Sequence, residues 1–193
     1  MSVIVVGYKE IYKYNVKHVI ETTSKSKTWS KGLSPFFLGP VQLYNNHVAK
    51  NVENAWQFSK VYREYADVNE NPTREYFDWA KKGWNDSFAH RYPAGKGVKP
   101  LYSWWDGKKL DYIEARKKIY APLYTQAVLK SNAFKTLKSI HESGDTYCLV
   151  DFDGYDYLAM GKNLKDVVND PNRKMGHAFV LALLLQKYNG VNI

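Results

Sequence analysis

The sequence lacks most features of an exported, membrane-bound or metal-dependent protein. It has one cysteine, Cys148, in 193 residues, so no disulfide can form within the chain. The longest apolar run, residues 178–185, is far shorter than the about 20 residues of a membrane-spanning helix. Residues 1–7 include an apolar stretch without the basic start of a signal peptide. These absences predict no membrane partner and a location in the reducing cytoplasm.

Metal and nucleotide-triphosphate motifs are missing as well. The five histidines show no paired ligand spacing, and a single cysteine makes no zinc motif. Asp151 and Asp153 resemble the start of a calcium loop, but Lys162 stands where its closing acid is required. Lys96 lies between two glycines, but their spacing is not that of a Walker loop and no Ser or Thr follows. The sequence therefore predicts no metal and no cofactor.

Positive charge and aromatic side chains are plentiful. The 28 Lys and Arg exceed the 19 Asp and Glu, which gives a formal net charge of +9. Such an excess favours polyanionic partners such as nucleic acid or nucleotide phosphates, although a solvated basic surface is the alternative. The 16 Tyr and 6 Trp could stack on bases. Nothing in the sequence calls for an obligatory protein partner.

The pattern of apolar residues predicts a mixed α and β chain with one hydrophobic core. Strands are expected at residues 3–6, 16–22 and 146–152. Frequent Gly and Pro residues predict a long functional loop over residues 91–107. The predicted helices run from Asn51 to residue 65 or 66, from Pro72 onward, over 110–130 with a kink or break at Pro122, over 133–140 and over 175–188.

Several polar residues are candidates for chemistry. Glu53 falls in the first turn of a predicted helix, where it is either a charge matched to the helix dipole or a pocket carboxylate. Asp151 and Asp156 follow a predicted buried strand, where site residues often lie, although a solvated acidic turn is the alternative. Arg91 and Lys96 could present charge to a diphosphate, with a plain surface turn as the alternative.

Five segments together resemble the NADAR family, also called YbiA-like. The sequence Leu-Ser-Pro-Phe-Phe at residues 33–37 is similar to its Leu-Ser-Asn-Phe loop, and residues 51–60 are similar to its helix with Glu, Gln and Lys. Residues 113–120 look like its arginine-bearing helix. Residues 144–151 with Asp156 look like its acidic elements, and residues 175–185 resemble its closing apolar helix. The order of these segments is the order in the family.

The resemblance implies a fold, an activity and a site. The fold would be α+β, a single compact α-rich domain over 1–193 with helices around a small β-sheet, a β extension at 1–32 and a core at 33–188. The activity would be metal-free N-glycosidase cleavage that removes ADP-ribose from a base, including guanine in DNA. Glu53, with Asp151 or Asp156, would be catalytic. The implied substrate-binding residues are Trp56, Lys60, Arg91, Lys96, Trp104, Trp105 and Arg116.

The sequence also departs from that family. Ala159 and Met160 replace the family's Trp-Gly, Pro35 replaces its Asn, and residues 91–105 form a longer loop. These departures leave the exact substrate open among DNA, RNA, protein and free nucleotide. Similar chains occur in viruses of bacteria, where the activity would counter a host defence in the cytoplasm of the host cell. A non-catalytic protein that binds DNA or ADP-ribose is the alternative.

Overall fold

The structure is a computed structural model that describes residues 3–188, except for the side chains of Lys187 and Tyr188. The described strands are β1 (Val3–Val6), β2 (His18–Glu21), β3 (Val41–Gln42), β4 (Val48–Ala49), β5 (Lys60–Val61), β6 (Tyr102–Trp105), β7 (Lys108–Leu110) and β8 (Tyr147–Val150). The described helices are α1 (Val52–Gln57), α2 (Arg74–Asn85), α3 (Tyr112–Ala115), α4 (Ala121–Val128), α5 (Asn132–Glu142), α6 (Leu164–Asn169) and α7 (His177–Tyr188). This content confirms the α+β class.

The chain divides into two compact units. One unit comprises residues 1–34 and 124–193, and the other comprises residues 35–123. The expectation of a single domain over 1–193, with an extension at 1–32 and a core at 33–188, stays a prediction. Residues 1, 2 and 189–193 of that domain lie outside the described residues. No helix within residues 3–188 combines the length and the apolar character needed to cross a membrane.

The unit that contains both ends of the chain is built on a three-stranded parallel sheet. Its strand order is β1-β8-β2, with β8 in the centre. All four residues of β1 and of β8 are buried, as expected for a parallel sheet covered on both faces. Helix α7 packs against β1 and is buried from His177 to Ala182 and again at Leu185. The strands predicted at 3–6, 16–22 and 146–152 and the helices at 133–140 and 175–188 are thus confirmed, with small shifts of their ends.

The unit of residues 35–123 has two small antiparallel sheets. Strands β3 and β4 form one of them, and β5, β6 and β7 form the other in that order. Its helices α1 and α2 pack against each other and against β4. Over residues 3–188 the β structure therefore comprises three small sheets.

The helix expected from Asn51 to residue 65 or 66 is wrong in its second half. Helix α1 ends at Gln57, and Lys60–Val61 form a strand instead. The Ser59 hydroxyl donates to the Trp56 carbonyl at 2.8 Å, which satisfies an acceptor at the end of the helix. Pairing of Val61 with Tyr102 then holds the chain in extended form. The pairing of β5 with the distant strand β6 therefore decides the conformation of residues 60–61, and their local helix propensity does not.

Helix α2 begins slightly later than predicted. Pro72 lies before the cap residue Thr73 rather than in the first turn. The helix continues through Gly83 to Asn85. A Cβ at Gly83 would lie 2.1 Å from Cδ1 of Phe58, so the ring of Phe58 occupies the space that any larger residue needs. Glycine is required here for packing.

Residues 91–107 are a loop only in their first part. Residues 102–105 form β6, which makes a hairpin with β7 through Asp106 and Gly107. Both turn residues have positive φ, 45° and 78°, as a type I′ turn requires. A kink or break was expected at Pro122, and the chain does not break there: a π-helical turn over Arg116–Tyr120 leads into α4, which contains Pro122. Proline lacks the N–H of the regular ladder, and the wider turn accommodates it without ending the helix.

Candidate functional site

The first turn of α1 is fixed by the loop before it. The side chain of Asn51 accepts from Asn54 N–H at 2.7 Å and caps the helix. Val52 N–H donates to the Leu38 carbonyl at 2.8 Å, and Glu53 N–H donates to the Pro35 carbonyl at 3.1 Å. These bonds use main-chain donors that a helix start leaves unpaired. The loop at 35–38 therefore sets the position of Glu53.

A chain of side-chain hydrogen bonds runs along α1. Gln57 Nε2 donates to Glu53 Oε1 at 2.9 Å, and Lys60 Nζ donates to Gln57 Oε1 at 2.7 Å. Glu53 and Gln57 are 6% and 8% exposed. The spacing of four residues places Glu53 and Gln57 on one face of α1, and Lys60 reaches Gln57 from β5. The amide of Gln57 thus connects a buried carboxylate to an ammonium group.

Aromatic rings and a buried arginine adjoin this hydrogen-bonded chain. Lys60 Nζ lies 4.7 Å from the centre of the Trp56 ring, which is 5.2 Å from the ring of Tyr120. Tyr120 ends the π-helical turn that begins at Arg116. The Arg116 side chain is 2% exposed, with its guanidinium carbon 4.6 Å from the ring centre of Tyr112. Arg116 is therefore a buried cation.

The structure separates the two candidate stacking tryptophans Trp104 and Trp105. Successive side chains of a strand point to opposite faces, so the two rings of β6 cannot stack on one base. Trp104 packs edge-on against Phe77 at 6.1 Å, and Trp105 packs edge-on against Tyr44 at 5.0 Å. Trp104 N–H donates to the Ser59 carbonyl at 2.7 Å, which attaches it to the end of α1. This hydrogen bond joins Trp104 to the residue that precedes Lys60.

Arg91 and Lys96 lie on the loop before β6. The guanidinium of Arg91 is 5.5 Å from the ring of Tyr92. Lys96 is exposed between Gly95 and Gly97, which have φ of 104° and 90°. The loop presents Lys96 to solvent, and none of the described contacts joins it to Glu53.

Asp151 lies in the other unit and caps α7. Its Oδ2 accepts from Ala178 N–H at 3.1 Å and is 3.0 Å from His177 Nδ1. Burial raises the pKa of Asp151, while the charge and hydrogen bond of His177 lower it, and the net direction is downward. A Cβ at Gly176 would lie 2.2 Å from Oδ2, so only glycine permits this approach. The lowered pKa favours the ionised form of Asp151, whose carboxylate anchors the start of α7.

Asp156 is held by residues that follow β1. Its Oδ1 accepts from the Tyr14 hydroxyl at 2.6 Å and from Ala159 N–H at 3.0 Å, and Lys13 Nζ is 3.5 Å from Oδ2. Burial raises the pKa of Asp156, but the hydrogen bond from Tyr14 and the other contacts lower it more. The hydrogen bonds of Asp156 therefore favour its ionised form, which can accept a proton but has none to donate.

A metal site has no basis in the part of the chain that is described. Across residues 3–188 no group of three or more His, Cys, Asp or Glu side chains is arranged to hold a metal ion. Cys148 is buried in β8, and burial raises the pKa of its thiol. A buried thiol with a raised pKa is a poor metal ligand because the thiolate is the ligating form.

The comparison with family models decides the family. The model of DUF6939, described as a family of unknown function, matches residues 8–181. The chain belongs to the DUF6939 family. The matched range includes Glu53, Asp151 and Asp156, together with α1 to α6. A search of the curated proteins found no match.

Sequence reasoning missed three contributors to these clusters in the DUF6939 chain. Gln57 connects Glu53 to Lys60, and Tyr120 packs on Trp56. Tyr14 holds Asp156 over 142 residues of sequence. The spacing of Gln57 from Glu53 and Lys60 could have indicated the role of Gln57 from the sequence. No local sequence pattern indicates the contacts of Tyr120 and Tyr14.

Proposed function

We propose that this DUF6939 protein is an N-glycosidase that removes ADP-ribose from ADP-ribosylated guanine in DNA or from a related ADP-ribosyl compound. The observation that carries the proposal is the buried carboxylate of Glu53 in hydrogen-bonded series with Gln57 and Lys60. A YbiA-like fold is part of the proposal. Support for it comes from contact between two NADAR-like segments, since the Pro35 carbonyl accepts a hydrogen bond from Glu53 N–H in the first turn of α1.

The reaction needs a carboxylate more than it needs a metal. Cleavage breaks the bond between the ribose anomeric carbon and the base nitrogen. Water gives its hydroxyl to the anomeric carbon and a proton to the base, so the products are ADP-ribose and the unmodified base. Positive charge develops on the sugar as the bond breaks, and a positioned carboxylate stabilises it. Glu53 has that role, and the amide of Gln57 holds one of its oxygens.

The neighbours of Glu53 suit the rest of an ADP-ribosyl group. The Lys60 ammonium offers charge to a diphosphate, and Trp56 beside it is a partly exposed indole. Arg116 would act with Lys60 on the same anion. Arg91, Lys96, Trp104 and Trp105 stay candidates for contact with base or phosphate. Rings and cations next to a carboxylate are the combination that a phosphate-bearing nucleoside requires.

A second carboxylate would orient the attacking water or protonate the leaving base. Asp151 and Asp156 stay candidates, and their contacts distinguish them. Asp151 is buried against His177 and the start of α7, whereas Asp156 is held at a loop by Tyr14 and Lys13. The lowered pKa of both carboxylates favours the role of base over that of acid at neutral pH. In a virus of bacteria, such an enzyme would act on host-modified DNA in the host cytoplasm.

Turnover on defined substrates tests the proposal. Purified protein is incubated with a guanine-ADP-ribosylated oligonucleotide, and released ADP-ribose is measured by chromatography with and without a chelator. Release that is insensitive to the chelator is expected. Glu53→Gln should lower kcat about 100- to 1000-fold, the cost of losing one preorganised stabilising group. Substrate affinity should change far less, because the complementary charge arises in the transition state.

Glu75→Gln is the matched control. Glu75 is also an acid in the first turn of a helix, α2, but it is exposed. Both substitutions remove a charge that interacts with a helix dipole, and only Glu53→Gln should reduce turnover. A protein that binds the modified oligonucleotide without releasing ADP-ribose, before and after Glu53→Gln, would instead be the non-catalytic binding protein.

A further inference from the structure

The unit built on the parallel sheet contains a pocket of about 620 Å³. Its walls are β2, the loop of residues 25–30 and Ile140 of α5. A volume of this size is within the range of small-molecule sites. None of the candidate residues for the glycosidase reaction lines it.

The loop contributes two cations that no carboxylate neutralises. Lys25 and Lys27 line the pocket and are exposed, and neither forms an ion pair with a described acid. Lys25 Nζ lies 5.2 Å from the ring of Phe152, an interaction that leaves its charge available. The third lysine of the pocket, Lys17, is different because Asp145 is 2.8 Å away. Lys25 and Lys27 thus form no ion pair within residues 3–188, while Glu21, the carboxylate of the pocket, accepts a hydrogen bond from the Thr23 hydroxyl at 2.7 Å.

Trp29 gives the same pocket an open aromatic surface. The chain has six tryptophans, and five of them pack against another aromatic ring: Trp56, Trp79, Trp84, Trp104 and Trp105. Trp29 stacks on no ring of the described residues and is 40% exposed. An indole face in the same pocket as two ammonium groups is a combination with which proteins hold a base and its phosphate.

Hydroxyl groups hold the loop in one conformation. Ser26 Oγ is 2.9 Å from Ser30 Oγ and 3.1 Å from Thr28 Oγ1. Ser30 Oγ in turn donates to the Glu21 carbonyl of β2 at 2.6 Å. Since Ser26 and Ser30 are buried, this cluster fastens the loop to the sheet. Lys25, Lys27 and Trp29 are thus presented by a loop that is ordered before any ligand binds.

We propose that this pocket binds a nucleotide, with its phosphate at Lys25 and Lys27 and its base on Trp29. A single nucleic-acid strand and a free nucleotide present the same chemistry. The net charge of +9 favours the strand, because a polyanion gains from the whole basic surface. The pocket requires no ADP-ribosyl group, so its binding is independent of the proposed glycosidase activity.

Fluorescence anisotropy with an unmodified oligothymidylate of about ten nucleotides tests the proposal. Lys25→Ala combined with Lys27→Ala should reduce the slope of log K against log salt by about 1.4, since each contact to a single strand contributes ~0.7. Trp29→Ala should weaken binding by about tenfold to a hundredfold, and Trp29→Phe should restore part of it. Quenching of tryptophan emission by the oligonucleotide should decrease in Trp29→Ala.

The control variant removes two exposed lysines elsewhere in the same unit. Lys135→Ala combined with Lys165→Ala changes net charge equally at positions on α5 and α6 outside the pocket. It should leave affinity and salt slope nearly unchanged. Equal losses in both double variants would overturn the proposal, because charge alone would then explain binding.

Two further ligands distinguish a nucleic-acid strand from a free nucleotide as the ligand of the pocket. Binding of the oligonucleotide with dependence on Trp29 assigns the pocket to a strand, and binding of thymidine 5′-phosphate alone assigns it to a free nucleotide. Poly-glutamate that competes equally well, with no dependence on Trp29, would overturn the nucleotide assignment in favour of an acidic peptide. Loss of glycosidase activity in Glu53→Gln with retained oligonucleotide binding would separate the two proposals.

Discussion

Asp151 Oδ2 lies 3.0 Å from Nδ1 of His177, and both residues are almost completely buried. Nε2 of the same ring is 2.8 Å from the Thr22 carbonyl. A carboxylate and a carbonyl are acceptors, so both contacts are satisfied together when each ring nitrogen carries a proton. The pair is then a carboxylate and an imidazolium at the start of α7. It joins the end of β8 to the buried helix.

Asp151→Asn should be strongly destabilising. It removes one partner of a buried ion pair and leaves the other in a low-dielectric interior, which costs roughly 3–5 kcal/mol. Urea unfolding at pH 7, followed by circular dichroism, measures the change in free energy of unfolding. Asp153→Asn, in the same acidic segment, is the control and should cost much less. Equal effects of the two substitutions would contradict a special role for Asp151.

The pH dependence of stability should follow the same pair. The pKa of Asp151 is lowered in the folded state, so its contribution is present above the unfolded pKa of about 3.9. It is lost as the pH falls through the folded pKa. Wild-type stability should therefore decrease more steeply below about pH 4 than that of Asp151→Asn. Parallel curves for the two proteins would show that Asp151 does not titrate with unfolding.

The hairpin of β6 and β7 should depend on Gly107. Its φ of 78° is in the left-handed region, and an added Cβ would meet nothing within 4 Å. Gly107→Ala should therefore cost only backbone strain, about 1–2 kcal/mol. Asp106→Asn is the control, because Asn tolerates the φ of 45° at that position. Thermal denaturation of both variants measures the difference.

The hairpin of β6 and β7 differs from the continuous loop that the sequence predicts over residues 91–107. Asp106 and Gly107 carry the strongest short signal for a two-residue turn, but the Pro and Gly of residues 91–100 suggested a continuous loop. The parallel strands were easier, because β1 and β8 are short apolar runs buried on both faces. The end of α1 was not readable locally, since strand pairing of Lys60–Val61 with β6 decides it.

The candidate site, like the fold, is predictable from the sequence only in part. Glu53 and Lys60 are candidates from the sequence, whereas Gln57, which connects them by hydrogen bonds, was missed. The burial of Arg116 was not predictable, because it depends on how the π-helical turn places Arg116 against Tyr112. The partners of Asp156 come from residues 13 and 14, and contacts of such sequence separation leave no local pattern.

Lys60→Met should separate substrate binding from catalysis. The variant keeps the apolar stem near Trp56 and removes the ammonium that donates to Gln57. If Lys60 binds the diphosphate, KM should rise about tenfold to a hundredfold, the worth of a charge-assisted hydrogen bond. The change in kcat should be smaller. Steady-state kinetics on the ADP-ribosylated oligonucleotide gives both constants.

Lys81→Met is the control for Lys60→Met. Lys81 is an exposed lysine of α2 in the same unit, and its removal changes net charge equally. It should leave both constants unchanged. A fall in kcat at unchanged KM in Lys60→Met would contradict diphosphate binding and indicate that Lys60 acts on Glu53 through Gln57.

Tyr14→Phe should reveal what Asp156 does. The Tyr14 hydroxyl donates to Asp156 Oδ1 at 2.6 Å, and this bond is the largest cause that raises the pKa of Tyr14 to about 12. Its removal should cost about 1–3 kcal/mol at pH 7, as for hydrogen bonds to charged groups. The cost should shrink as the pH falls through the lowered pKa of Asp156, because the protonated carboxyl accepts more weakly. It should also shrink above about pH 10, where unfolded tyrosine ionises.

Tyr12→Phe is the matched control, because Tyr12 is 83% exposed two residues earlier. Urea unfolding of both variants at pH 3, 7 and 11 measures the three limits, and the pH dependence of kcat/KM is recorded on the same proteins. If Asp156 takes part in proton transfer, Tyr14→Phe raises its pKa and shifts the acidic limb of the rate profile upward, whereas Tyr12→Phe does not. A Tyr14→Phe protein that is less stable but has an unshifted profile would make Asp156 an anchor for residues 13 and 14, and Glu53 would then be the carboxylate on which the reaction depends.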